Sequence, residues 1–247
     1  MRVAALYDIH GMAVPLDAVL AEVREEDVDA VVLGGDVVGG AQPAETLGLL
    51  EEVELPLVWI RGNGERALGP DANEATRADE ALDFTLAQLE RVRAEELAVL
   101  PTTAALDIDG LGEVLFCHAV PADDDVLLTS ATPDDVLRRA AEGVAQKTIV
   151  CGHTHMQYDR TVDGIRWVNP GSVGMPYEGK VAAFWAILGP EVELRRTPFD
   201  TERSAEAILA SGWPEAESFV AENVRAAVSR EEATTIFEEM AAERGER

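Results

Sequence analysis

The first 63 residues alternate short apolar runs with segments of helical periodicity, and this order constrains the fold more than any other feature. The apolar runs cover 2–7, 29–35 and 56–63, and each suits a strand buried in a parallel sheet. Residues 15–26 and 43–53 carry apolar side chains at helical spacing. This β-α-β-α-β order predicts a parallel sheet with right-handed crossovers, in which ligands bind beyond the carboxyl ends of the strands.

The pattern changes in the second part of the chain. Helical periodicity covers 75–100 and 132–143, and Thr132 and Asp135 resemble a capping box around Pro133. Several short apolar runs are separated by turn residues, which is typical of antiparallel pairing. These runs cover 103–108, 113–117, 147–151, 157–162, 165–168, 181–188 and 191–197. A chain with both patterns predicts an α/β fold of two mixed sheets packed face to face, with helices outside.

The C-terminal segment, residues 201–247, is predicted to be helical. Pro214 opens one helix, and the sequence SREE at 229–232 caps another. A chain of 247 residues that is 47% hydrophobic can bury one large core. We therefore expect one domain over 1–200 and a helical extension over 201–247, packed on that domain or on a partner subunit. Because its apolar positions could also pack between subunits, a homo-oligomer stays possible.

The composition excludes several classes of partner. A formal charge of −27 repels phosphate backbones, so broad affinity for nucleic acids or anionic membranes is not expected. No run approaches the roughly 18 apolar residues of a membrane span, and the first residues lack the features of a signal peptide. The cysteines, Cys117 and Cys151, do not form a CxxC pair and fit reduced thiols. We expect a cytoplasmic protein whose anionic substrates need a local positive charge.

Polar side chains lie where the predicted strands end. The set comprises Asp8, His10, Asp36, Asn63, His118, His153 and His155. Side chains two residues apart in an extended strand point the same way, so His153 and His155 should converge on one spot, as should Asp8 and His10. Imidazole and carboxylate together suit divalent ions such as Mn, Fe or Zn. The two glycines before Asp36 allow backbone and metal to come close.

Five motifs occur in the order found in one known family. They are DIH (8–10), GGD (34–36), RGN (61–63), CH (117–118) and GHTH (152–155). Together they resemble the calcineurin-like metallophosphoesterase superfamily, and NPGSVGMP (169–176) resembles its small bacterial phosphodiesterase branch. The resemblance spans roughly residues 1–200 and implies a four-layer αββα sandwich.

The resemblance also implies two divalent metal ions, manganese first, with Fe, Zn, Ni or Co as alternatives. One ion would be held by Asp8, His10, Asp36 and His155, and the other by Asp36, Asn63, His118 and His153. Asp36 would bridge the two ions, and Asp36, Asn63 and His118 would form the catalytic set. The implied reaction is hydrolysis of a phosphoester by in-line attack of a hydroxide held between the ions. Arg61 is a candidate phosphate contact, with a surface ion pair as its alternative role.

One position departs from the family pattern. The resembling phosphomonoesterases have a histidine directly after the asparagine of the GN motif, where this chain has Gly64. A general acid contributes roughly 10²–10⁴-fold, so esters with poor leaving groups should react slowly here. This favours small phosphodiesters over alkyl monoesters. Glu65 is a candidate substitute for the missing acid.

The sequence leaves two other functions open. One is a non-catalytic binding scaffold on the same fold, like a retromer subunit of this superfamily, against which the complete ligand set argues. The other is a serine/threonine protein phosphatase, against which Gly64 and the strong negative charge argue. Metal content would separate the scaffold from an enzyme.

Overall fold

The computed structural model of the protein describes residues 1–70 and 79–247. The strands in these ranges are β1 Val3–Leu6, β2 Ala30–Leu33, β3 Leu57–Trp59, β4 Thr103–Ile108, β5 Gly112–Cys117, β6 Thr148–Val150, β7 Tyr158–Val162, β8 Ile165–Asn169, β9 Ala183–Leu188 and β10 Val192–Thr197. They form one sheet of order β10-β9-β1-β2-β3 and a second of order β4-β5-β6-β8-β7. Both sheets are mixed, since β1, β2 and β3 run parallel while β9 pairs antiparallel with β1.

Helices cover the outer face of each sheet. Those of the described ranges are Ala13–Glu25, Pro43–Glu51, Asn63–Ala67, Glu80–Gln88, Arg91–Ala98, Asp134–Ala140, Thr201–Ala210, Ala216–Phe219 and Arg230–Glu243, with a π-helical turn at Val220–Val224. Among these helices, none is both long and apolar enough to cross a bilayer.

The side chains of β1 alternate between two cores. Ala4 and Leu6 pack with the helix Ala13–Glu25, whereas Val3 and Ala5 pack between the two sheets. All four residues of this strand are buried, because the strand is covered on both faces. A third core joins the second sheet to the helix Asp134–Ala140. The layers are therefore helix, sheet, sheet and helix, and the predicted αββα sandwich is confirmed.

The second sheet is also mixed, as predicted, although the turn residues between its strands are typical of antiparallel pairing. The β4–β5 and β7–β8 pairs are antiparallel, but β6 runs parallel to both β5 and β8. The helix Asp134–Ala140 lies between β5 and β6 in the chain, and such a crossover returns the chain in the same direction.

Two predictions about helices were wrong. The helix predicted over 75–100 is two helices, because Leu89 and Glu90 adopt extended backbone angles and Leu89 turns into the core. Residues 75–78 of that prediction lie outside the described residues. The predicted capping box is absent from the helix Asp134–Ala140, whose N-cap is Pro133. The hydroxyl of Thr132 instead accepts a hydrogen bond from the backbone N–H of Thr129.

The C-terminal segment packs against the rest of the chain. Ile208, Trp213 and Phe219 share a buried cluster with Met12 and Ala41. The cap predicted at 229–232 is confirmed, since the side chain of the first residue accepts from the backbone N–H of the last. The boundary at residue 200 stays a prediction.

Candidate metal centre

The seven predicted ligands follow the carboxyl ends of five strands. Asp8 and His10 follow β1, Asp36 follows β2, Asn63 follows β3, His118 follows β5, and His153 and His155 follow β6. The structure brings all seven together, although their positions span 148 residues of the chain (8 to 155, inclusive). Both sheets contribute, so the site lies where the ends of the two sheets meet.

Most of these residues have a left-handed backbone, not an extended one. The φ angles are 52° at Asp8, 51° at His10, 53° at Asp36, 68° at His153 and 59° at His155. The prediction that each pair lies in an extended strand was therefore wrong. Left-handed backbone is unfavourable for residues other than glycine, and such strain is concentrated at functional sites. Backbone hydrogen bonds from Asp8 N to Gly35 O (3.1 Å) and from His10 N to Asp36 O (2.8 Å) hold two of these turns.

The potential ligand atoms form two groups, and within each group they lie within 4.8 Å of one another. One group is Asp8, His10 and His155, and the other is Asp36, His118 and His153. His153 and His155 therefore do not share one spot, as extended geometry would require. Each histidine of the GHTH motif faces a different group.

Asp36 lies between the two groups. Its Oδ2 atom is 3.6 Å from His118 Nε2 and 3.9 Å from His10 Nε2. Asn63 joins the second group, because its Oδ1 atom is 3.1 Å from His118 Nε2. A carboxylate in this position can contact ions held on either side.

Two buried ligand atoms have no hydrogen-bond partner among the described residues. They are Oδ1 of Asp8, a fully buried residue, and Nε2 of His153, from which Asp125 Oδ1 lies 3.4 Å away without hydrogen-bond geometry. The other oxygen of Asp8, Oδ2, accepts from the backbone N–H of His153 at 3.0 Å. Buried polar atoms are rarely left unpaired in folded proteins, and a bound cation would satisfy both atoms.

Contacts behind the histidine rings direct their other nitrogens toward the centre. His155 Nδ1 lies 2.7 Å from Met175 O, and His118 Nδ1 lies 2.9 Å from Gly34 O. A carbonyl accepts but cannot donate, so these contacts place a proton on Nδ1, and Nε2 is the nitrogen that would bind a metal after losing any proton of its own. His155 Nε2 is 3.1 Å from His10 Nε2. The nitrogen and oxygen donors therefore fit a divalent transition metal.

Burial and charge shift the pKa values in opposite directions. Burial, together with the neighbouring His155, lowers the pKa of His10 to about 4. Burial also lowers the pKa of His118, but Asp36 and Asp8 outweigh it and raise the value to about 10. Despite burial, His118 holds the pKa of Asp36 far below its usual range. At neutral pH these shifts leave Asp36 ionised, His10 neutral and a positive charge on His118.

The buried side chain of Glu65 holds the loop that carries Asp36. The sequence analysis considered this residue as a substitute for the missing acid. Glu65 Oε2 accepts from the backbone N–H groups of Asp36 (2.8 Å) and Gly62 (2.9 Å), and Oε1 accepts from Val37 N (2.7 Å). Because both oxygens are occupied and the residue is fully buried, Glu65 is not placed to protonate a leaving group. Its position three residues after Gly62, at the start of a helix, is the signal that indicates this role.

Glycines leave the space that the ligand side chains occupy. A Cβ atom on Gly62 would lie 2.3 Å from Asp36 Oδ1, and one on Gly152 would lie 2.6 Å from Asp8 Oδ2. Real Cβ atoms do not approach other atoms this closely. The expectation that the two glycines before Asp36 let backbone and metal come close stays a prediction.

The NPGSVGMP segment supports the ligand loops through hydrogen bonds. The Ser172 hydroxyl donates to Asp8 O at 2.7 Å, and the Asn169 amide donates to Gly152 O at 3.0 Å. Met175, whose carbonyl contacts His155, belongs to the same segment. Its residues therefore position ligands on both GHTH and DIH.

An aromatic stack connects the centre to the C-terminal segment. The ring of His155 stacks on Tyr177, with centroids 5.0 Å apart and an interplanar angle of 21°. Tyr177 in turn contacts Phe237 of the helix Arg230–Glu243, at 5.9 Å. The sequence interpretation missed this contact, since neither aromatic residue belongs to a ligand motif.

Arg61 lies beside the centre, in a cavity of about 520 Å³ that His118 also lines. Its Nη1 atom donates to Ala98 O at 3.2 Å, and Nη2 lies 3.7 Å from Asp124 Oδ2. The ion pair considered as its alternative role is present. The side chain nevertheless borders the space next to the proposed ligands.

Comparison with known proteins gives consistent matches along most of the chain. Residues 1–188 match the family model described as the calcineurin-like phosphoesterase superfamily domain. A metallophosphoesterase from Sphaerobacter thermophilus superposes with a TM-score of 0.71 at 25% identity, over 92% of this chain and 99% of that one. The hypothetical protein PH1004 from Pyrococcus horikoshii superposes with a TM-score of 0.77 at 20% identity, over 89% and 97% of the chains.

A curated relative matches over a similar extent. The uncharacterized protein MJ0912 from Methanocaldococcus jannaschii is 25% identical over 237 residues, which are 86% of this chain and 94% of the relative. The family model covers well over half of the sequence and includes the loops that carry all seven candidate ligands. The chain belongs to the calcineurin-like phosphoesterase superfamily.

Proposed function

We propose that this protein is a phosphoesterase that depends on two divalent metal ions and prefers small phosphodiesters. The observation that carries the proposal is the position of Asp36 between two groups of buried histidine and aspartate ligands. Membership of the superfamily supports hydrolysis of phosphoesters.

Each group of side chains would hold one ion. Asp8, His10, Asp36 and His155 form the first set, and Asp36, Asn63, His118 and His153 form the second. Manganese is the favoured metal, and Fe, Zn, Ni and Co also suit nitrogen and oxygen donors of this kind. When bound, a pair of such ions polarises the phosphoryl group and lowers the pKa of a water molecule.

The protein's own residues orient the substrate around that pair. Asn63 Oδ1 lies 3.1 Å from His118 Nε2, and His118 borders the cavity of about 520 Å³, so a phosphoryl oxygen would bind beside this pair. Arg61 is the candidate for a further phosphate contact, because it lines the same cavity as His118. The positive charge of Arg61 also offsets part of the negative charge of this acidic chain.

The preference for diesters follows from the surroundings of Gly64. Its N–H donates to Asp36 Oδ1 at 2.7 Å, and a Cβ atom there would lie 2.9 Å from the same oxygen. Position 64 therefore offers no side chain to protonate a leaving group, and Glu65 is occupied by backbone contacts. Esters whose leaving group departs without protonation should react best.

The test compares matched aryl esters with protein that has been reconstituted with manganese. We expect turnover of bis(p-nitrophenyl) phosphate to exceed that of p-nitrophenyl phosphate, and the Asp36→Asn variant to lose activity on both. A strong preference for the monoester would contradict the proposed preference for diesters. Protein that purifies and reconstitutes without stoichiometric metal would favour the scaffold function instead.

A further inference from the structure

A second cavity, of about 320 Å³, lies next to the proposed metal centre. His10, Asn63 and Gly64 of the centre contribute to its lining. The lining also includes apolar side chains, which are Met12, Leu82, Met175, Trp213 and Phe219. Sites for small organic groups are typically of about this volume or larger and are mainly apolar, with few polar groups.

We propose that this cavity binds the nucleoside of a nucleoside phosphodiester, and that Trp213 is the specificity-determining residue. The proposal rests on the proposed function and names its substrate class. The cavity and the centre share His10 and Asn63, so one ester can place its phosphate at the centre and its organic group in the cavity.

The aromatic wall favours a flat organic group. The rings of Trp213 and Phe219 meet edge to face, with centroids 5.3 Å apart. Trp213 is only 7% exposed, and its Nε1 atom has no hydrogen-bond partner among the described residues. The indole N–H is itself buried, so a nucleobase would contact Trp213 by packing its flat ring against this aromatic wall.

The charges around the cavity exclude a second phosphate. Asp79 and Glu215 contribute exposed carboxylates to the lining. Of the described residues that line the cavity, Arg66 is the one with a fixed positive charge, and its Nε donates to Asp124 Oδ1 at 2.9 Å. A nucleoside with a single phosphodiester group fits these charges, whereas a nucleoside polyphosphate would be repelled.

Gly64 leaves the connection between the two spaces free of a side chain. It lines the cavity, and its N–H contacts Asp36, the carboxylate between the two ligand groups. Gly64 therefore has two effects. The centre has no side-chain acid at this position to protonate a leaving group, and no side chain blocks the path to the cavity.

Binding can be tested without metal or turnover. Adenosine is titrated into ¹⁵N-labelled protein, and the indole N–H resonances of its tryptophans are followed by NMR. Trp213→Phe assigns the resonance, and Trp185, whose Nε1 donates to Thr197 Oγ1 at 2.9 Å, is an internal control. We expect saturable shifts at Trp213 with adenosine and none with ribose. Absence of a shift at millimolar adenosine, or equal shifts at every tryptophan, would overturn the proposal.

Specificity is tested with two diesters that share the p-nitrophenolate leaving group, adenosine 5′-(p-nitrophenyl) phosphate and ethyl p-nitrophenyl phosphate. We expect the wild type to favour the adenosine ester in kcat/KM, and Trp213→Ala to reduce that preference by roughly tenfold, since stacking of one base on an aromatic ring has about this value. Leu209→Ala, at an exposed position, is the control and should keep the preference. An equal loss for both esters would refute a role in specificity.

The two experiments separate this proposal from the proposed function. Adenosine binding at Trp213 without turnover of any ester would contradict phosphoesterase activity but not the nucleoside site. Turnover without adenosine binding, and without preference for the adenosine ester, would contradict the nucleoside site alone.

Discussion

At the scale of single residues, the candidate centre depends on groups that never contact a metal. Gly62 leaves room for a carboxylate oxygen of Asp36, and Glu65 pairs three backbone N–H groups in the loop that carries it. These two residues determine where Asp36 lies between the ligand groups. Each role can be tested by a substitution with a matched control.

Gly62→Ala should displace Asp36 and lower the metal content of the protein. The added Cβ would lie 2.3 Å from Asp36 Oδ1, so the side chain or the loop must move. Gly48→Ala is the matched control, because a Cβ at that helical position meets nothing within 4 Å. The control should keep its metal and gain about 0.5–1 kcal/mol in free energy of unfolding. Equal metal content in the two variants, measured by elemental analysis, would show that Gly62 is dispensable.

Glu65→Gln should destabilise the protein by about 1–3 kcal/mol. The amide keeps the shape of the side chain but has one acceptor oxygen, so backbone N–H groups lose a partner and a buried NH₂ gains none. Urea unfolding measures the change, with Glu52→Gln at an exposed position as the control. If both variants unfold at the same urea concentration, the three hydrogen bonds do not stabilise the loop.

At the scale of secondary structure, the sequence predicted the ends of strands well and the turns beyond them poorly. Apolar runs locate β1, β2 and β6, so the ligands that follow them could be identified. The left-handed angles at His153 and His155 could not be predicted, because both residues contact distant loops, through His153 N to Asp8 Oδ2 and His155 Nδ1 to Met175 O. The break in the helix at Leu89 was missed for a similar reason. No glycine or proline marks the break, which is determined by burial of the Leu89 side chain in the core.

Phe237→Ala should weaken metal binding, although the residue lies in the C-terminal segment. Phe237 contacts Tyr177, which stacks on His155, so its loss should allow the His155 ring to move. An aromatic pair contributes about 0.5–1.5 kcal/mol, which corresponds to a roughly two- to twelvefold loss of affinity. Isothermal titration with manganese measures the loss, and Ile236→Ala, an exposed neighbour on the same helix, is the control. Identical manganese affinities for the two variants would show that Phe237 does not help to hold the His155 ring in place.

At the scale of the whole molecule, two sheets and a helical segment cooperate at one site. The first sheet provides Asp8, His10, Asp36 and Asn63, and the second provides His118, His153 and His155. Packing of the sheets therefore determines whether the two ligand groups assemble at all. The C-terminal segment adds Trp213 and Phe219 to a cavity beside them. That contribution was not predictable from motifs, because apolar residues in a helical segment are most simply packing surface.

The central claim is that these seven side chains hold two divalent ions with Asp36 between them. The most direct test is the number of manganese ions bound per chain after removal of all metal and reconstitution, measured by elemental analysis for the wild type and for Asp36→Asn. The account predicts two ions per wild-type chain and a clear loss in the variant, which remains folded by circular dichroism. Fewer than one ion per wild-type chain in excess manganese, or the same number in both proteins, would contradict it.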